Sequence, residues 1–207
     1  MADSTWISLK YSDFGSSVEE FDEELTSLIE RPLVQIPSLI TLVGKSEKSL
    51  FLQELGCPNR TNERLLHPHG HVRVWGDSET RRDYNPLIYF DCEVQNKKTS
   101  NNLHMYKRVG SIRTIVSTQA QQASSYRQIG NLLCSRVLSP ISFVICYFVK
   151  DCGGLQGVAR FIAENASEKS TSDLPQSTLP CVIVVTDTQS QNFSPKVTEG
   201  KLTSLIY

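Results

Sequence analysis

The chain has 207 residues, with 21 Lys and Arg against 22 Asp and Glu, 39% hydrophobic and 8% aromatic residues. That is enough for one packed domain and too apolar for disorder along the whole length. No apolar run reaches the roughly 20 residues of a bilayer-spanning helix, and Met1 to Trp6 lack the basic-then-apolar pattern of a secretion signal, so a cytoplasmic protein is expected. A net charge of -1 argues against a general nucleic-acid surface.

The charge is unevenly spread. Residues 1 to 30 hold Asp3, Asp13, Glu19, Glu20, Asp22, Glu23, Glu24 and Glu30 against Lys10 alone. Residues 97 to 136 hold no acid, and carry Lys97, Lys98, Lys107, Arg108, Arg113, Arg127 and Arg136. The simplest expectation is a solvated acidic face and a basic face that meets it; the other is a surface for phosphate or an acidic protein partner. Cys57, Cys92, Cys134, Cys146, Cys152 and Cys181 form no C-x-x-C pair, which removes the spacing of zinc ribbons and thioredoxin-type sites. Several lie in apolar runs and read as reduced core thiols.

In chain order, Val18, Phe21, Leu25, Leu28 and Ile29 follow a helical spacing between acids, predicting an amphipathic helix over 16 to 30 that ends near Arg31 and Pro32. The β-branched run from Ile36 to Val43 halts at Gly44 and reads as a buried strand, followed by a short helix from Ser49 to Leu55 that stops at Gly56. His71 to Trp75 alternates, Pro86 to Asp91 is apolar, and the polar turn chemistry between them allows an antiparallel hairpin. Residues 93 to 104 read as a loop, and a helix is expected within 119 to 137 despite Ser124, Ser125 and Gly130. An apolar strand over Ile141 to Val149, a helix over Leu155 to Ala166, a loop over Ser167 to Pro180 and another buried strand over Cys181 to Val185 complete the pattern. Apolar strands alternating with helices predict a mostly parallel sheet covered on both faces.

The junction Val43-Gly44-Lys45-Ser46-Glu47-Lys48-Ser49 is the motif with the most chemistry in it. In a Walker A loop, G-x-x-x-x-G-K-[ST], backbone amides surround the β-phosphate, Lys reaches the β/γ oxygens and the hydroxyl binds Mg²⁺. Aligning Lys48 and Ser49 with that pair leaves Gly44 two residues too close and puts Glu47 where the second glycine belongs. Using Gly44, Lys45 and Ser46 instead puts Leu39 at the first glycine. Either alignment lacks part of the cradle, and Glu47 adds repulsion toward a polyphosphate of about 1 to 4 kcal/mol.

On these residues the chain resembles the P-loop GTPases, and among them G-domain-like proteins of filamentous fungi, over roughly residues 33 to 187. Ile36 to Val43 resembles the first strand, Lys48 and Ser49 the Walker A remnant, and Leu87 to Asp91 the strand whose terminal acid reaches the Mg²⁺ shell. Pro86 to Glu93 resembles the fungal group most closely. The D-x-x-G glycine is replaced by Val94, and only Asp187 survives of the guanine-reading N-K-x-D. The resemblance implies a three-layer P-loop NTPase-like fold with helices on both faces. It also implies a cofactor set of Mg²⁺ with GTP or ATP if the chain is nucleotide-competent. Gly44, Lys48, Ser49 and Asp187 would hold nucleotide, Ser49 and Asp91 would hold the metal, and Glu93 would activate water. The organisation expected is an acidic helical extension over 1–32, a G-like domain over 33–187 that is incomplete at its C-terminal side, and a polar tail over 188–207. A binding or regulatory module is the leading reading; an active hydrolase with a remodelled loop and a partner-dependent fragment are the alternatives. His67, His69, His71 and His104 raise only a weak metal reading, because Pro68 and Gly70 make that segment a loop first.

Overall fold

The computed structural model describes residues 5–12, 15–21, 27–55, 71–93, 112–119, 133–169 and 180–186. Eight strands are defined: β1 (Thr5–Ser12), β2 (Gly15–Phe21), β3 (Ser38–Gly44), β4 (His71–Gly76), β5 (Leu87–Glu93), β6 (Ile112–Gln119), β7 (Val144–Phe148) and β8 (Cys181–Val185). Helix α1 (Ser46–Glu54) follows β3. A π-helical turn, Cys134–Leu138, runs into the short helix α2 (Ser139–Ile141), and α3 (Gly154–Lys169) follows β7.

All eight strands join one sheet in the order β6-β2-β1-β4-β5-β3-β7-β8. Its two halves differ in direction. Strands β5, β3, β7 and β8 are parallel, whereas β6, β2, β1 and β4 pair antiparallel with one another and β4 pairs antiparallel with β5. The sheet is therefore mixed. The expected parallel arrangement holds for the half that follows the β-branched runs, and the hairpin expected between His71 and Asp91 is present as β4 and β5.

The expected N-terminal acidic helix is corrected. Gly15–Phe21, expected at the start of an acidic helix, is a strand held between β1 and β6. Thr5–Ser12 is a strand as well, and its alternation of Ile7, Leu9 and Tyr11 with Ser8, Lys10 and Ser12 is the period-two signal for it. The apparent 3.6-residue spacing of Val18 and Phe21 loses to ladder hydrogen bonds on both sides, and residues 22–26 of the expected helix lie outside the described residues. Ile112–Gln119, rich in β-branched residues, is likewise a strand. The register sets Glu20 of β2 opposite Arg113 of β6, so acidic and basic segments do come together there.

Pairing sorts the core by face. Leu39, Thr41 and Val43 of β3 share a side with Ile88, Phe90 and Cys92 of β5. On that side Leu133, Cys134 and Leu138 pack on Ile7, Val72, Val74, Phe90 and Cys92. Val158 and Phe161 of α3 pack there on Val43, Ile145 and Tyr147. The opposite side carries Leu42, Tyr89, Cys146 and Phe148 against Leu52 of α1. Helical segments thus cover both faces, as expected, because strands buried on two sides need a cover on each. Cys92, Cys134, Cys146 and Cys152 are buried thiols, while Cys181 is exposed. A buried polar chain ties α2 to β3: the Ser142 hydroxyl donates to the Leu138 carbonyl (2.6 Å), so its oxygen accepts from Thr41 Oγ1 at 2.6 Å. Among the described residues no helix is long and apolar enough to cross a membrane.

Candidate functional site

Strand β3 is where the order of the parallel strands reverses, with β5 on one side and β7 on the other. In open α/β sheets a crevice forms at the carboxyl ends of strands at such a point. The carboxyl end of β3 is Gly44, and the chain turns there directly into α1. The predicted loop therefore lies where an α/β protein places a ligand. Helix α1 begins at Ser46, three residues before the expected start, so Lys48 and Ser49 belong to its first turn.

A helix of this length exposes its first amide N–H groups and needs an acceptor for them. Lys45, at the cap position, supplies no side-chain acceptor. The acceptor comes from far along the chain: the Asp151 carboxylate, in the turn after β7. Its Oδ2 accepts from the backbone N–H of Lys45 (2.6 Å), Glu47 (2.9 Å) and Lys48 (3.2 Å), and its Oδ1 accepts from that of Ser46 (2.9 Å). The positive end of the helix dipole favours an anion there, and the anion present is the protein's own. A Cβ at Gly44 would lie 2.9 Å from Asp151 Oδ2 and 3.0 Å from Phe148 Cβ. Glycine at that position is what allows the carboxylate to seat.

One further contact links the two turns: Glu47 directs its carboxylate toward Lys150 Nζ at 3.8 Å, joining the α1 turn to the turn that carries Asp151. After Cys152 that turn passes through Gly153 and Gly154, at φ of 85° and 84°. A side chain on either would meet nothing within 4 Å, so glycine is required there for backbone conformation rather than for space.

Lys48 is 1% exposed. Its ammonium forms an ion pair with Asp91 Oδ1 and donates to the Cys92 carbonyl oxygen at 2.8 Å. Parallel pairing of β3 with β5 explains the meeting, since Leu42 and Asp91 are register partners and share the α1 side of the sheet. Arg73 of β4, the register partner of Asp91, brings Nη1 to 3.9 Å of Asp91 Oδ2. Asp91 is thus a buried carboxylate facing two cations, and Lys48 is committed to it. Taking two charges out of water is costly, and such a pair persists because removing one partner strands the other.

The remaining expected site residues are distributed as follows. Gly44, Lys48, Ser49 and Asp91 are brought together at one end of the sheet. Ser49 turns its hydroxyl back to the Lys45 carbonyl at 2.5 Å, a bond within its own helix. Glu93 is the register partner of Gly44 at the end of β5, which sets its backbone beside the loop. Asp187 lies outside the described residues, as do Val94, His67, His69 and His104. As for a metal, Asp91 supplies a carboxylate and Ser49 a hydroxyl, but the first already faces Lys48 and Arg73 and the second is already donating. The donor set fits a salt-bridged core better than an Mg²⁺ shell. Among the described residues no group of three or more His, Cys, Asp or Glu could hold a metal ion.

The residues missed in the sequence are Asp151 and Arg73. Asp151 had a faint signal: a Lys-Asp pair directly after a buried parallel strand and before two glycines, at the edge of the sheet where Gly44 also ends. Only the adjacency of β3 and β7 turns that pair into a contact. No protein-family model, no curated protein and no solved structure matches this chain.

Proposed function

We propose that this chain is a divergent P-loop GTPase-like domain that serves as a binding or regulatory module, with its phosphate cradle closed on itself. The observation that carries the reading is the seating of the Asp151 carboxylate on the four backbone amides of residues 45 to 48. These are the donors that a phosphate would need. An incoming triphosphate would have to displace Asp151, approach Glu47 and draw Lys48 away from Asp91. Each unit of like charge at about 4 Å opposes it by roughly 1 to 4 kcal/mol, according to solvent screening. Binding to a protein is then the better use of the fold, through the basic 97–136 stretch whose described strand, β6, forms one end of the sheet.

Calorimetric titration of the full chain with Mg·GTP and with Mg·ATP tests this reading. The expected result is no saturable heat at micromolar nucleotide. Micromolar binding of either nucleotide to the wild-type chain would overturn it and favour the active hydrolase, in which Lys48, Ser49 and Asp91 return to nucleotide and Mg²⁺.

A further inference from the structure

Behind the carbonyl that holds Lys48, the Cys92 side chain faces the other side of the sheet, toward the π-helical turn. There its Sγ lies 3.8 Å from Cys134 Sγ. Both thiols are buried, with Cys92 7% and Cys134 8% exposed, and they pack within one apolar cluster with Phe90, Leu133 and Leu138. A π-helical turn is rare and costs backbone regularity, and it is often found where a side chain must be presented at a particular place. This one begins at Cys134.

We propose that Cys92 and Cys134 are a redox pair that closes to an intramolecular disulfide when the protein meets hydrogen peroxide. One thiolate attacks a peroxide oxygen, breaking the O–O bond; it becomes a sulfenic acid and hydroxide leaves, taking up the thiol proton as water. The second sulfur attacks the sulfenic sulfur, the S–O bond breaks, and a second water leaves with the remaining thiol proton. In sum two thiols and one peroxide give one disulfide and two waters. The sulfurs have to move from 3.8 Å to the roughly 2.05 Å of a disulfide, a change within reach of side-chain rotation. Closure would fasten the end of β5 to the turn. Since the Cys92 carbonyl accepts from Lys48 Nζ, the bond would fix the strand end that holds the Lys48–Asp91 pair.

The hydrogen bond to Cys92, together with burial, raises the Cys134 thiol well above its ordinary range. Cys134 is therefore protonated at neutral pH and reacts through transient opening of the cluster. Exposed Cys181 provides the internal reference for peroxide exposure.

The test is non-reducing peptide mapping of the full chain after hydrogen peroxide and iodoacetamide treatment. The expected product is a linked Cys92–Cys134 peptide pair lacking two hydrogens, released by dithiothreitol and formed equally in Cys152→Ser. Cys134→Ser should leave Cys92 alkylated. Recovery of both cysteines as alkylated thiols when Cys181 is fully oxidised would overturn the proposal, as would linkage of either to Cys152 instead. Mapping of the wild-type chain decides the matter even if Cys134→Ser fails to fold.

Discussion

Replacing Asp151 with alanine removes the acceptor for four amides at once, and the cost can be worked bond by bond. The N–H groups of Lys45 and Ser46 are exposed, so water replaces the carboxylate there at little cost. Those of Glu47 and Lys48 are part-buried and lose roughly 1 kcal/mol each. Loss of the negative charge at the helix N-terminus adds about 0.5 kcal/mol. The sum, about 2 to 3 kcal/mol, lies at or above the upper end of the range for losing a single helix cap, about 2 kcal/mol. For a chain of this length that lowers Tm by about 5 to 10 °C. Thermal and urea unfolding followed by circular dichroism measure it, with Asp151→Asn alongside. The asparagine keeps the shape and one acceptor oxygen but not the charge, and should lose about half as much. A change below about 0.5 kcal/mol in both variants, the size of an ordinary surface substitution, would show that Asp151 does not cap α1.

Other substitutions follow from the same geometry. Lys48→Met should cost about 3 to 5 kcal/mol in urea unfolding by stranding buried Asp91, and Lys48→Met with Asp91→Leu should recover most of it; a single-variant loss equal to the double would contradict the ion-pair account. Thr41→Val removes the donor to Ser142 and should cost about 1 kcal/mol, with Ser142 still bonded to Leu138. Gly154→Ala should cost about 1 to 2 kcal/mol from positive φ alone; an unchanged Tm would show that the turn adapts. Burial raises Cys146 to about 11 and Cys152 to about 12 from a reference of 9.0. With folded values above the unfolded one, this stabilisation is full below pH 9 and is lost as pH rises toward 11 and 12. The guanidinium midpoint should therefore fall on going from about pH 8.5 to about pH 10.5, across the unfolded thiol range, and fall less in Cys152→Ala.

How much was legible in the sequence divides along the two halves of the sheet. The parallel half could be read because β3 and β7 are nearly continuous apolar runs, and burial on both faces allows little else; β8 has the same apolar composition but lies exposed at the edge of the sheet, against the buried strand expected there. The antiparallel half was obscured at β2, where Val18 and Phe21 mimic helical spacing and the pairing that decides the matter lies in β1 and β6. The candidate site was legible as a set of residue types, since Gly44, Lys48 and Asp91 are flagged by motif. Its occupancy was not. Asp151 lies 106 residues beyond Lys45, and no local pattern specifies that the strand before it neighbours β3. Nor could the motif say that Lys48 points to Asp91 rather than outward, because that depends on α1 beginning at Ser46 and taking Lys48 into its first turn.

The seating of Asp151 on the amides of residues 45 to 48 can be read from the resonances of those amides. Titration of the ¹⁵N-labelled chain with Mg·GTP, followed at the backbone amides of Lys45, Ser46, Glu47 and Lys48, should leave all four unmoved, while Asp151→Ala alone shifts them strongly. Saturable shifts of those amides in the wild-type chain at micromolar nucleotide would contradict the account.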